Sequence, residues 1–127
     1  MTRRAISTAG APAAIGPYSQ GIVSDGLFFS AGQAALEPST GALVEGGIEP
    51  ETERVMANLS AVLDAAGCSW ADVVKTTIFL VDMADFSAVN AIYGRFVGDP
   101  PPARSTVGVA ALPKGARVEV EVIARLG

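Results

Sequence analysis

The sequence predicts an α+β domain in which one mixed sheet carries two helices on a single face. Three observations point there. Strand-like and helix-like runs follow one another as strands, helix, strand, helix, strands. Two stretches, 51–66 and 85–98, repeat apolar residues at three- and four-residue spacing, and the run 118–124 alternates valine with charge. A chain of 127 residues holds one core and has no room for a second.

The elements follow in order. Residues 4–7 are expected as a short strand. In APAAIGPYSQG at 11–21, Gly16, Pro17 and Gly21 bracket Tyr18 and Gln20, which suits a structured loop. That loop either presents Tyr18 to a ligand or lays its ring over the edge of the core. Residues 21–36 read as a hairpin, because Asp25-Gly26 between two apolar runs is a two-residue turn signal. The second strand, 27–31, runs into Gly32, where the missing side chain allows either a bulge or the close approach of a backbone or ligand. Residues 37–50 form a loop with an extended piece at 42–44.

The first helix is expected over 51–66, burying Val55, Met56, Leu59, Val62 and Leu63, with Pro50 at its first position and Gly67 at its stop. Asn58-Leu59-Ser60 matches a glycosylation sequon, but inside a helix the match is read as chance. Residues 72–81 are β-branched and apolar on both faces, as in a central strand. The second helix starts at an Asp85 cap, presents Phe86, Val89 and Tyr93, and ends at Gly98. Asn90 beside that stripe is either a surface amide or a polar group held against a site. Three prolines, 100–102, stiffen the approach to a strand over 104–109, where Arg104, Thr106 and Gly108 share a face. After a turn at Pro113-Lys114-Gly115, the last strand points Val118, Val120, Val122 and Ala124 inward and Arg117, Glu119, Glu121 and Arg125 outward.

Composition narrows the chemistry. Half the residues are hydrophobic and 17% are charged, more apolar surface than one small core absorbs, so self-association is expected. A net charge of −4 and a pI near 4.6 leave no basic stripe for nucleic acid. The chain has no histidine, which removes Ser-His and Cys-His nucleophiles and histidine metal ligands. Cys68 is alone, so a reducing, cytoplasmic setting is expected, with no membrane span and no metal site. The remaining reagents are Arg, carboxylates, Tyr, hydroxyls and backbone groups. Arg104 is the best carboxylate anchor, since a guanidinium makes two parallel charge-assisted bonds, though a lone Arg also serves as a surface ion pair. Glu119 is a solvated charge unless another subunit covers its face, in which case it can act as acid and base on a bound water. The pair is expected to face one small pocket.

The segments 11–21, SAGQ at 30–33, VVKTTIFLVDMADFSAVNAIY at 73–93, PPARSTVGVAALPKG at 101–115 and VEVEVIA at 118–124 together resemble the RidA family, also called YjgF, nearly end to end. The resemblance implies a chorismate-mutase-like fold of the bacillus type, with a mixed six-stranded sheet and two helices on one face. It implies homotrimers with sites in the clefts between subunits, and hydrolysis of 2-aminoacrylate and related enamines or imines, released by pyridoxal-phosphate enzymes, to 2-oxo acids and ammonia. No cofactor is implied for the protein itself. By position, Arg104 matches the family's carboxylate-binding arginine and Glu119 the glutamate that activates water. Tyr18, Gly32 and Asn90 fall on pocket residues. Thr106 stands where many members have Cys, and Ala31 where Ser is common. A non-catalytic module binding 2-oxo acids, and an endoribonuclease, are the other readings this family allows.

Overall fold

The computed structural model describes residues 2–127. Seven strands form a single sheet: β1 (Arg3–Ile6), β2 (Gly21–Ser24), β3 (Leu27–Ser30), β4 (Gln33–Ala34), β5 (Val73–Leu80), β6 (Ala103–Gly108) and β7 (Val118–Arg125). The order across the sheet is β1-β2-β3-β7-β5-β6, with β4 also paired to β7. All pairs are antiparallel except β5 with β6. The two helices are α1 (Ile48–Ala65) and α2 (Phe86–Tyr93). The expected sheet of six strands becomes seven because Gln33–Ala34 continues the hairpin strand against β7, a pairing that lies in tertiary contact and not in local pattern.

Residues on one face of the sheet are sealed by the helices. Phe28, Ile78, Leu80, Val118 and Val120 are buried together with Val55, Met56, Leu59, Val62 and Leu63 of α1. Truncating a residue such as Leu59 to Ala costs roughly 2–5 kcal/mol in a core of this kind. The opposite face, with Phe29, Phe79, Val107, Glu119, Glu121 and Ile123, has no helix over it, and Phe29 and Val107 are each 40% exposed.

The β2–β3 turn has both central residues at positive φ, Asp25 at 52° and Gly26 at 77°, matching the right-handed twist of the strands it joins. Helix α1 begins at Ile48, so Pro50 sits in the third helical position, where the N–H that proline lacks has no partner within the helix anyway. Helix α2 stops at Tyr93 with Gly94 as its cap, not at Gly98. Its approach is capped by Asp82, whose carboxylate accepts from Ala84 N at 2.9 Å, while Asp85 makes no side-chain cap. No helix among the described residues is long and apolar enough to cross a membrane.

Candidate functional site

Glu119 projects from β7 onto the uncovered face of the sheet, opposite in direction to its buried neighbours Val118 and Val120. It lies between Ala34 of β4 and Phe79 of β5. Between the pairs Phe29–Ile123 and Gln33–Val120 the hairpin strand places three residues, 30 to 32, where β7 places two, 121 and 122. The extra residue makes a bulge. The bulge leaves Val122 N without a ladder partner, and the Ser30 hydroxyl accepts from it at 2.9 Å. It also brings Gly32 down onto the Glu119 carboxylate, so that a Cβ at position 32 would collide with the Glu119 Oε2 and Cδ atoms. Both readings of Gly32, bulge and close approach, describe the same feature.

A cleft of about 590 Å³ opens here, lined by Glu119, Gly32, Tyr18, Ile15, Leu36 and Lys114 among others. Its walls are pinned by two buried amides. Gln20 accepts from Thr8 N at 2.7 Å and donates to the carbonyls of Thr8 at 3.0 Å and Pro12 at 2.8 Å, fixing the root of the loop that carries Tyr18. Asn58 of α1 donates to the carbonyls of Ala34 and Leu36 at 3.2 and 3.1 Å, holding β4 in place, so this residue of the sequon is structural. The Glu119 carboxyl is raised above its ordinary value, first by burial in the cleft and second by the Glu121 carboxylate on the same sheet face.

Arg104 projects the other way. It pairs with Thr76, which is buried beneath the helices, and residues paired in a parallel ladder share a face, so Arg104 emerges on the helix side at the edge of the sheet. Its guanidinium carbon lies 5.1 Å from the centre of the Tyr93 ring and 5.4 Å from that of Phe86, and its Nη1 donates to Asn90 Oδ1 at 2.7 Å. The Tyr93 hydroxyl is fixed by Thr76 Oγ1 at 2.7 Å. Arg104 therefore stands on an aromatic shelf, oriented by an amide, with only one side of its fork engaged. The ion pairs among the described residues, Arg54–Glu37, Arg95–Glu53 and Arg117–Glu51, leave it out. A second cleft of about 420 Å³, lined by Asn90, Tyr93, Val97, Pro101, Pro102 and Arg104, surrounds it. Thr106, two residues along, shares this face of β6 and is half-buried against Ile78.

The six residues singled out from the sequence thus fall into two groups. Tyr18, Gly32 and Glu119 meet in one cleft, and Arg104, Asn90 and Thr106 gather on the opposite side of the sheet. The expectation that Arg104 and Glu119 face one pocket does not hold within a single chain, because they occupy opposite faces of the sheet. Sequence reasoning missed the Phe86–Tyr93 shelf as a site feature, reading both rings as core stripe, and missed Lys114 and the two pinning amides. Arg117, expected to point away from the core, instead clamps the wholly buried Glu51: its backbone N and its Nη1 donate to the two carboxylate oxygens at 2.8 and 2.6 Å.

Comparison with known proteins gives a consistent result. Residues 8–126 match the family model described as Endoribonuclease L-PSP. The chain is 52% identical to a RutC family protein of Synechocystis over 99% of this chain and 98% of the other. It is 47% identical to the human 2-iminobutanoate/2-iminopropanoate deaminase, over 100% of this chain and 93% of that one. Among solved structures, a member of the conserved Rid protein family from Yersinia pestis superposes with a TM-score of 0.94 at 48% identity, covering 98% of this chain and 100% of the other. Escherichia coli TdcF with bound serine superposes with a TM-score of 0.91 at 36% identity, covering 98% of this chain and 99% of the other.

Proposed function

The chain belongs to the RidA (YjgF) family, and from that membership we propose that it is an enamine and imine deaminase, hydrolysing 2-aminoacrylate-type intermediates of pyridoxal-phosphate enzymes to 2-oxo acids and ammonia. The observation that carries the reading at the level of residues is the division of the site. One face of the chain offers a cationic fork on a rigid shelf, and the other offers a carboxyl in a cleft with its proton affinity raised. Neither half suffices alone. A second copy that brings its Arg104 edge to the Glu119 cleft makes one complete site, and in a closed ring of three copies every interface is used. The apolar sheet face supports the same assembly, since Phe29, Val107 and their neighbours gain cover in it. We take the architecture to be the chorismate-mutase-like trimer, and the lone free cysteine, Cys68, to suit a reducing cytoplasm.

In the assembled site Arg104 takes the substrate carboxylate in two charge-assisted bonds, Asn90 and the two rings hold the guanidinium still, and Thr106 stands beside it. The C=N carbon then lies over Glu119. Glu119 accepts a proton from water as the oxygen bonds to that carbon, the nitrogen takes up a proton, and the resulting aminoalcohol collapses. The hydroxyl proton passes by way of Glu119 to the amino nitrogen as the C–N bond breaks, so that ammonia and the 2-oxo acid leave and Glu119 returns to its starting state. A carboxyl raised towards neutrality suits both proton transfers. Backbone groups of the Gly32 bulge are available to the nitrogen.

The test is a coupled assay in which a pyridoxal-phosphate dehydratase makes 2-aminoacrylate from serine and semicarbazide traps what remains. The protein is expected to lower the trapped fraction. Binding of 2-oxo acids without that acceleration would instead support a non-catalytic module.

A further inference from the structure

Helix α2 has eight residues and no side-chain cap at its start, so it has little helical stability of its own and tertiary contact fixes its place. Phe86, Asn90 and Tyr93 recur along it at spacings of four and three, which puts them on one face. All three reach Arg104. The two ring centres lie within 5.4 Å of its guanidinium carbon, and the Asn90 amide oxygen accepts from its Nη1. The same face is tied to the sheet: the Tyr93 hydroxyl shares a hydrogen bond of 2.7 Å with Thr76 Oγ1, and the two residues are buried, at 4% and 0% exposure. The neighbours of Thr76 on that side of β5, Ile78 and Leu80, are apolar. A valine would fill the position with the same shape, and a hydroxyl there is costly unless it is bonded. Thr76 is also the ladder partner of Arg104. A closed circuit therefore runs from the Arg104 backbone to Thr76 across the ladder, from Thr76 to Tyr93 through their hydroxyls, and from the Tyr93 ring back to the Arg104 guanidinium.

We infer that Thr76 and Tyr93 are positioning residues for the reaction: their shared hydrogen bond sets the height and tilt of the ring shelf, and through it the direction of the free side of the Arg104 fork. The inference rests on the deaminase reading. The bond itself is buried and touches no substrate. A guanidinium holds a carboxylate by two parallel bonds, and their direction decides where the C=N carbon comes to lie. Without the two hydroxyls the ring, the charge and the Asn90 amide all remain, but the shelf is free to shift beneath the guanidinium.

The test separates positioning from stability. Thr76→Val and Tyr93→Phe each leave the other's buried hydroxyl without a partner, so each should lower the melting temperature. The double variant leaves neither and should recover much of the loss. Imine hydrolysis should not follow that recovery. With 2-iminopropanoate made from alanine by an amino-acid oxidase with catalase, trapped by semicarbazide and assayed below every melting transition, kcat/KM should fall about tenfold in both single variants and stay as low in the double one. Affinity for pyruvate, which presents the same carboxylate, should fall with it in calorimetry. Thr76→Ser, which keeps the hydroxyl, should restore both. Activity that recovers with stability in the double variant, or wild-type kcat/KM in the single variants, would overturn the positioning role and leave the deaminase reading standing. A wild type that accelerates no imine hydrolysis removes the deaminase reading and the positioning role with it.

Discussion

Arg104 and Glu119 project from opposite faces of one sheet. Arg104 lies level with Thr76 on the helix side, and Glu119 lies level with Phe79 on the bare side. No side-chain motion brings them together in one chain, because β5 runs between their strands. In the proposed reaction one of them must therefore come from a second copy.

Arg104→Ala should remove turnover and leave the fold intact, since the guanidinium is exposed and takes part in none of the ion pairs. Two charge-assisted bonds of about 1.5–3 kcal/mol each correspond to a loss of about 10²–10⁴ in kcat/KM. The coupled assay measures the loss, and an unchanged melting curve separates it from unfolding. Retained turnover would refute the anchor.

Gly32→Ala should act through Glu119. The added Cβ meets the carboxylate directly, so the glutamate must swing away from its place under the bulge. A displacement near 1 Å can cost about 100-fold in rate. Steady-state kinetics should show the loss mainly in kcat, and a variant with wild-type kcat would mean that the carboxylate position is not critical.

The raised pKa of Glu119 sets the direction of two pH effects. Its folded carboxyl holds a proton more tightly than the unfolded one, so its contribution to stability is fully present below the unfolded value and is lost as pH rises through the folded value. Activity runs in the opposite sense, with the acid limb of kcat/KM lying above the ordinary glutamate range. Glu121→Gln removes the smaller of the two causes and should move that limb to lower pH. A limb that stays in place would assign the shift to burial alone.

Arg117→Ala leaves the Glu51 carboxylate buried without its guanidinium, though the backbone N–H of residue 117 remains. Because the guanidinium is half exposed, its loss costs about one charge-assisted hydrogen bond, roughly 1.5–3 kcal/mol, measurable as a lower urea midpoint. Replacing both residues with apolar ones of similar volume should recover much of it, and a single variant as stable as wild type would make the pair superficial.

The elements themselves were largely legible in the sequence, because their signals are local. The three-and-four spacing of Val55, Met56, Leu59 and Val62, the Asp25-Gly26 turn and the alternation of β7 each sit within one segment. Long-range partners were not. Glu51 reads as a charge complementing a helix start until Arg117 arrives from 66 residues away. Asn58 reads only as part of a chance sequon and Gln20 only as a loop residue until the backbone they hold is in place. Strand β4 has two residues and no pattern, and it exists because β7 offers an edge. The candidate site was legible residue by residue but not as a geometry. Alternation places Glu119 on an outward face, yet only the register of β6 on β5 reveals that Arg104 faces the other way.

The most direct measurement is subunit complementation. Arg104→Ala and Glu119→Gln, each expected to be inactive alone, are unfolded together, refolded as a mixture and assayed for imine hydrolysis. Sites shared between copies predict that activity returns, at about a quarter of the interfaces for random assortment. A mixture as inactive as its components, in protein shown to have exchanged subunits, would contradict the shared site.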